Sequence, residues 1–276
     1  MAPGISASNA AIEEIAQNGF ALLDASDNLQ DFMEETLVAG DRFFELDLDV
    51  KLDSRLPLDG GYRPYGTEYS ESSDHADEVE SYTVSHRPTE TRHQPSDSAV
   101  ELHSKMLTLF DVFEEASVEI AKGLRCKFQP QSTITSGALR TWSLLKYNFA
   151  RPVGVDSEFI NDLHEDGCLL TIMSVAGNGF ELKVGDRFLE IPASRQQVLA
   201  MAGEILWLLT GGRINPIYHR VRTLHARERR RSLLFFADLK PALCEPWLIS
   251  DINRNIDIGQ RVRQNSTRFG LSERSD

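Results

Sequence analysis

The chain is poor in the residues that mark secreted or membrane-inserted proteins. Its 276 residues include only three cysteines, and Cys126, Cys168 and Cys244 are too widely spaced for a CxxC pair or a disulfide framework. No apolar run is long enough to cross a bilayer, and the first residues lack the basic start and apolar run of a signal peptide. These absences predict a cytoplasmic protein.

Positive charge is also scarce. The chain has 29 Lys and Arg against 42 Asp and Glu, which gives a formal net charge of −13. Such a surface repels phosphate backbones and anionic headgroups, so we expect neither nucleic acid nor a membrane as a partner. Apolar residues make up 41% of the sequence, which is ordinary for a globular protein with a sizeable core.

The first 128 residues combine helices with an irregular segment. Residues 47–93 are rich in Gly, Pro, Ser and acidic residues but carry four tyrosines, which favours an ordered loop that covers a site. We expect residues 1–128 to pack on the core and to contribute a lid from residues 60–82. Apolar spacing predicts helices over residues 8–18, 29–46 and 96–123, and short strands over residues 19–24 and 78–84.

The pattern becomes β after residue 128. Short apolar runs are separated by Gly and Pro turn signals, an organisation typical of a barrel or sandwich. We expect residues 129–276 to form this core and a C-terminal segment, within one integrated domain. The predicted strands cover residues 139–147, 168–175, 179–184, 188–191, 198–202, 205–209, 217–221 and 232–237.

A candidate metal site lies at the start of this β region. Strand alternation would place His164 and Asp166 on one face and Glu165 on the other. His219 follows His164 by 55 residues (219 − 164 = 55), enough for intervening strands to return it to the first. Two histidines and one carboxylate leave coordination positions open, which suits Fe(II) and O₂, whereas structural zinc prefers a closed tetrahedron.

An arginine follows on the next predicted strand. Alternation there puts Arg230 and Ser232 on one face and Arg231 on the other. An inward arginine without a partner would cost several kcal/mol, on the order of the penalty for an uncompensated buried charge. A carboxylate that accepts hydrogen bonds from both Arg230 and Ser232 would remove that cost.

These residues together carry a family resemblance. His164-x-Asp166, His219 and Arg230-x-Ser232 resemble the isopenicillin N synthase-like branch of the 2-oxoglutarate/Fe(II)-dependent dioxygenases. Supporting segments make the resemblance cover nearly the whole chain, although Asn148 stands where many members have Pro and Asn178 replaces a usual Gly. Those segments are residues 19–20, 144–147, 164–171, 178–182, 208–213 and 219–221.

The resemblance implies a fold and a chemistry. The fold would be mainly β with flanking helices around a double-stranded β-helix, a jelly roll of the cupin-like type. Using O₂, the enzyme would hydroxylate, desaturate or cyclise a small metabolite of natural-product or amino-acid-derived metabolism, with release of succinate and CO₂. By the same resemblance Fe(II) would be held by His164, Asp166 and His219, and 2-oxoglutarate by Arg230, Ser232 and Tyr147.

Substrate residues are weakly specified by the sequence. An ordinary loop or surface role is at least as compatible with each candidate as a substrate contact. The candidates by position are Tyr62, Arg63, Tyr65, Glu68, Glu80, Tyr82 and Arg140.

Three alternatives remain open at this point. The first is an oxidase of the same fold that uses no 2-oxoglutarate, in which Arg230 and Ser232 bind the carboxylate of the substrate itself. The second is a non-catalytic binding protein that retains the fold. The third is a cupin-type isomerase or zinc hydrolase, neither of which requires Arg230-x-Ser232.

Overall fold

Two antiparallel sheets and a group of helices make up the fold. The structure is a computed structural model that describes residues 3–57, 60–70, 74–87, 95–131, 134–151, 158–223 and 229–269. The helices are α1 (Asn9–Asn18), α2 (Asp27–Phe44), α3 (Leu48–Leu52), α4 (Asp97–Cys126), α5 (Glu204–Leu209) and α6 (Ile258–Gln264), with 3-10 turns at Ser136–Ala138, Pro241–Leu243 and Asn265–Phe269.

In the second half of the chain, strands of the two sheets are interleaved along the sequence, as in a jelly roll. The larger sheet has the order β1-β9-β6-β11-β4-β3-β2, the smaller has the order β5-β10-β7-β8, and all paired strands are antiparallel. The strands are β1 (Phe20–Asp24), β2 (Gly61–Arg63), β3 (Glu80–Val84), β4 (Leu144–Ala150), β5 (Phe159–His164), β6 (Leu170–Val175), β7 (Phe180–Val184), β8 (Arg187–Glu190), β9 (Gln197–Ala202), β10 (His219–Arg222) and β11 (Arg230–Ala237).

The larger sheet separates two hydrophobic clusters. On one face, α4 packs against residues such as Leu233 and Phe235 of β11, and α1 and α2 pack against α4 in the same cluster. On the other face, Leu234 of β11 packs with Met173 and Phe180 between the two sheets. Strand alternation therefore decides whether a β11 side chain faces the helices or the space between the sheets.

The N-terminal region is part of the larger sheet as well as a helical layer. Strand β1 pairs with β9, and β2 and β3 extend the sheet beyond β4. Helices α1 and α4 begin at serine N-caps, Ser8 and Ser96, whose hydroxyls accept the N–H of the residue three positions later. None of the described helices is both long enough and apolar enough to span a membrane.

Two local predictions are wrong. Residues 205–209, expected as a strand, belong to helix α5, where Glu204 N–H donates to the Asp166 carbonyl and the Thr210 hydroxyl donates to Leu206. An apolar run that is buried on all sides carries no periodicity to separate strand from helix. The strand expected over residues 139–147 begins only at Leu144, after a 3-10 turn. The predicted jelly roll with flanking helices is confirmed.

Candidate active site

The site is a cavity between the two sheets. Residues from β4, β5, β6, β7, β10 and β11 line it, together with the segment before β3 and the C-terminal helical segment. The two histidines and the carboxylate expected to bind metal all lie in its wall, as do Arg230 and Ser232.

Two histidines meet on neighbouring strands of the smaller sheet. His219 opens β10 and is the register partner of His164, which ends β5, so their ring centroids are 4.3 Å apart. Each Nδ1–H donates to a backbone carbonyl, His164 to Asp162 at 2.6 Å and His219 to Ile217 at 3.1 Å. These hydrogen bonds fix the tautomers and leave both Nε2 atoms available as metal ligands.

Burial favours the neutral, metal-binding form of His164. Desolvation lowers its pKa below the ordinary value, and the neighbouring His219 lowers it further, while Asp166 opposes both effects. A histidine must be neutral to coordinate a metal, so the lowered pKa favours the binding form at neutral pH.

Asp166 completes the cluster by a route that differs from the prediction. Strand β5 ends at His164 and β6 begins only at Leu170, so Asp166 lies in the connection and strand alternation does not position it. Instead, Thr171 Oγ1 donates a hydrogen bond to Asp166 Oδ2, and Oδ1 lies 3.9 Å from each histidine Nε2. Glu165 points away to Arg268.

The donor set fits a divalent metal with open coordination positions. The three ligand atoms all lie within 4.8 Å of one another, and this is the one such cluster among the described residues. Two imidazoles and one carboxylate, without a cysteine ligand, suit Fe(II) better than structural zinc. Cys168, although close in sequence, contacts the Thr171 hydroxyl instead.

Arg230 is a buried cation that faces the same cavity. Its side chain and that of Ser232 share the inner face of β11, with Arg230 Nη1 donating to Ser232 Oγ at 3.2 Å. Arg230 is only 4% exposed, and no group in the described part of the chain pairs with its Nε or Nη2. Burial lowers its pKa to about 10, so it stays charged at neutral pH. Arg231 points to the opposite face, onto Asp41.

Tyr147 does not reach this cavity, which corrects the prediction that it binds the co-substrate. It is the register partner of Leu233, on the helix-facing side of the sheet. Its hydroxyl donates to the Leu37 carbonyl at 3.1 Å, and its ring covers Gly40, where a Cβ would lie 2.3 Å from the ring. The β4 residues that line the cavity are Leu144, Lys146 and Asn148.

A Tyr147→Phe substitution tests this correction. Loss of the hydrogen bond to Leu37 should lower the free energy of unfolding by about 0.5–1.5 kcal/mol. The dissociation constant for 2-oxoglutarate, measured by calorimetry, should stay unchanged. A large loss of 2-oxoglutarate affinity in a stably folded variant would show that Tyr147 contacts the co-substrate.

Of the seven substrate candidates, Glu68 lines the cavity, and the other six, Tyr62, Arg63, Tyr65, Glu80, Tyr82 and Arg140, lie outside its wall as far as the chain is described. Glu80 is buried in a network with Lys51, Tyr62 and Arg151. The others are held elsewhere: Tyr62 by Glu80, Tyr65 by the Arg151 backbone N–H, Tyr82 by His103, and Arg140 by Asp111 and Glu114.

Other residues of the expected lid do reach the cavity. Glu68, Tyr69, Ser70 and Asp77 line it, and Glu68 accepts hydrogen bonds from Lys146 and Ser81. Residues 71–73 within this segment lie outside the described residues. The sequence signal that would have found Lys146 is alternation along β4, since this strand faces two different layers.

The C-terminal segment also lines the cavity, although no sequence pattern indicates it. Asn265, Ser266 and Phe269 line the cavity, and the Phe269 ring lies 6.2 Å from that of His164. These residues follow α6, and nothing in their local pattern distinguishes them from an ordinary exposed turn.

Arg268 links this C-terminal segment to the connection between β5 and β6, which carries Asp166. Its guanidinium donates to Glu165 at 3.0 Å and to Glu204 at 2.7 Å, and Arg261 also donates to Glu204. Glu165 immediately precedes Asp166, so the link joins the C-terminal segment to the cluster.

Removing this link should loosen the C-terminal segment. Partly exposed ion pairs are worth about 0.2–1 kcal/mol each, so Arg268→Ala should accelerate hydrogen exchange of the α6 backbone amides by about fivefold. Arg254→Ala, which breaks an exposed pair with Asp251, is the control. Unchanged exchange in the Arg268 variant would contradict this role.

Together, the fold and the cavity define a class of protein, namely a jelly roll with a His-Asp-His cluster and a buried arginine in one cavity. Residues 145–238 match the model of the 2OG-Fe(II) oxygenase superfamily, a range that contains His164, Asp166, His219, Arg230 and Ser232. This range is about a third of the chain, and over it the chain is similar to the 2OG-Fe(II) oxygenase superfamily, as the sequence predicts. Fe(II) and 2-oxoglutarate are the metal and the co-substrate of that superfamily.

Two curated relatives match part of the chain. The isopenicillin N synthases of Flavobacterium sp. (strain SC 12,154) and Lysobacter lactamgenus are each 28% identical over 144 residues, which is 48% of this chain. The matched region spans 44% of each relative, less than half of its length.

Solved structures share the fold over most of the chain. A full-length Neurospora crassa protein, solved in complex with alpha-KG, has a TM-score of 0.72 and 18% identity, covering 92% of this chain and 89% of that one. A 2OG-Fe(II) oxygenase family protein from Caulobacter crescentus has a TM-score of 0.73 and 18% identity, covering 92% and 91%.

Proposed function

We propose that the protein is an Fe(II)/2-oxoglutarate-dependent oxygenase that oxidises a small metabolite and releases succinate and CO₂. The single observation that carries this proposal is the buried guanidinium of Arg230, which lacks a counter-ion among the described residues and faces the cavity of the His-Asp-His cluster. A buried cation of this kind fits a carboxylate ligand, and 2-oxoglutarate has a second carboxylate with a keto group for the metal.

Two groups of residues in the cavity would bind the metal and the co-substrate. His164, Asp166 and His219 would hold Fe(II), and Arg230 with Ser232 would bind the distal carboxylate of 2-oxoglutarate. With both bound, oxidative decarboxylation of 2-oxoglutarate would supply two electrons that activate O₂ as the oxidant of the substrate.

The protein's own contribution is to orient the ligands and to exclude water. The backbone carbonyls that accept from each Nδ1–H aim both histidine Nε2 atoms at the same point. Apolar side chains from both sheets, including Met173, Phe180 and Leu234, line the cavity beside Arg230. A dry wall strengthens the pairing between Arg230 and a carboxylate and protects a reactive centre from solvent.

The substrate we propose is a small metabolite of natural-product or amino-acid-derived metabolism. The similarity to isopenicillin N synthases supports this substrate class. The alpha-KG complex of the Neurospora crassa protein, which has the same fold, supports 2-oxoglutarate as the co-substrate.

The decisive assay measures succinate. Anaerobically purified protein supplied with Fe(II), 2-oxoglutarate and O₂ should form succinate slowly, and a true substrate should accelerate this formation to one succinate per substrate oxidised. Turnover of a substrate without succinate would contradict the proposal.

A second candidate is an oxidase that uses no 2-oxoglutarate. The observation that favours it is that the curated relatives are isopenicillin N synthases. In this case Arg230 and Ser232 would bind a carboxylate of the substrate itself, so 2-oxoglutarate should neither bind nor be consumed.

A further inference from the structure

An unpaired amide lies at the end of the cavity opposite Arg230. Asn265 is only 5% exposed and lines the cavity, yet neither its Oδ1 nor its Nδ2 has a hydrogen-bond partner within the described residues. Buried polar side chains are almost always hydrogen-bonded, so an amide with both polar atoms unpartnered calls for a ligand.

The position of Asn265 along the cavity follows from β11. Arg230, Ser232, Leu234 and Phe236 all face the cavity and span about 20 Å at the rise of a strand. Leu169 N–H donates to the Ala237 carbonyl at the far end of that strand.

Gly167 is two residues before Leu169, and its contact with Asn265 places Asn265 near the Ala237 end of β11. A Cβ on Gly167 would lie 2.3 Å from Asn265 Oδ1, so the glycine makes room for the amide. Asn265 is therefore far from the carboxylate-binding end of the cavity.

The metal cluster lies between these two ends. Asp166 adjoins Gly167 and hence Asn265, whereas His219 contacts Phe180, whose ring lies under the Arg230 guanidinium. A co-substrate anchored on Arg230 thus reaches the metal cluster from one side. Asn265 lies on the opposite side of the cluster. Phe269, on the same turn of the C-terminal segment, adds an aromatic surface there.

The charges around Asn265 restrict what it can bind. Asp166 and the buried Asp238 line the same end of the cavity, so an anionic group is disfavoured there. A cation would satisfy Oδ1 and leave Nδ2 unpaired. A neutral edge with an N–H beside a C=O satisfies both atoms at once, as paired amides do.

We propose that Asn265 binds the substrate and that the substrate carries a cis-amide edge, as in a lactam, a cyclic imide or a primary carboxamide. This inference rests on the proposed function, since it takes the side of the cluster away from Arg230 as the substrate side.

The test uses ligands that differ only in the proposed edge. The probe is 2-piperidone, and the controls of similar shape are cyclohexanone, which lacks the N–H, and N-methyl-2-piperidone, in which it is blocked. Saturation-transfer NMR with the anaerobic Fe(II)- and 2-oxoglutarate-loaded full chain should show 2-piperidone binding about tenfold more tightly than either control. Equal binding of the three compounds, or none of any, would overturn the proposal.

A variant series separates a binding role from a structural one. Asn265→Leu should abolish the preference for 2-piperidone, and it should raise the melting temperature by about 2–4 °C because an unpaired buried amide is removed. Asn265→Asp should also lose the preference, since it has no N–H to donate. Gln264→Leu, the same change at the exposed neighbour, should keep it.

Two outcomes would count against the inference in different ways. A lower melting temperature in Asn265→Leu with the preference retained would mean that the amide is structural. Binding of Fe(II) and 2-oxoglutarate by the parent protein is measured in parallel and tests the proposed function. If the parent protein binds neither but still prefers 2-piperidone, the oxygenase proposal is refuted and the amide site is supported.

Discussion

Replacing His219 with alanine should lower Fe(II) affinity by more than about 100-fold and remove succinate formation with it. Loss of partners that merely orient a ligand histidine typically costs 10–100-fold in metal affinity, so loss of the ligand itself should cost more. His219 is 3% exposed and is the register partner of His164, so no neighbouring strand can supply a substitute ligand without rearrangement. Anaerobic Fe(II) titration followed by calorimetry measures the affinity.

His86→Ala is the matched control. His86 lies outside the cavity and pairs with Asp111, so its removal should leave Fe(II) affinity and succinate formation unchanged. Retention of full Fe(II)-dependent activity in the His219 variant would exclude His219 as a metal ligand.

Replacing Arg230 with methionine should weaken 2-oxoglutarate binding by about 30-fold or more. Truncating one partner of a buried, hydrogen-bonded charge pair costs 2–5 kcal/mol, because the other charge stays buried without compensation. Fe(II) affinity should remain close to that of the parent protein, since Arg230 is not among the clustered ligand atoms.

The same variant should be more stable when no ligand is bound. The parent protein buries a guanidinium whose Nε and Nη2 have no partner in the described part of the chain, and methionine removes that charge with similar bulk. Chemical denaturation should show a gain on the order of 1–3 kcal/mol in the free energy of unfolding. A destabilised variant with normal 2-oxoglutarate affinity would show that Arg230 has a structural partner instead.

The sequence predicts the strands of this fold well because turn residues and alternating apolar residues carry the signal. Arg230 and Ser232 face the cavity as alternation requires, and Arg231 faces α2. Alternation misleads where the chain is not a strand: Asp166 is held by Thr171 in a connection. A resemblance to a family also misleads locally, since Tyr147 lies on the helix-facing side of β4.

The substrate side of the cavity could not be predicted from the sequence. Tyrosines in the irregular N-terminal segment suggest substrate contacts. However, Tyr62 and Tyr82 are buried, with hydroxyls hydrogen-bonded to Glu80 and His103. Asn265 reaches the cavity only because the C-terminal segment folds back across the chain onto Gly167. Contacts between residues so far apart in sequence leave no periodic trace in either segment.

The most direct test of the account is a crystal structure of the protein grown anaerobically with Fe(II) and 2-oxoglutarate. We expect one iron coordinated by His164, Asp166 and His219, with the distal carboxylate of 2-oxoglutarate on Arg230 and Ser232. Iron bound through other residues, or a 2-oxoglutarate that leaves Arg230 unpaired, would contradict it.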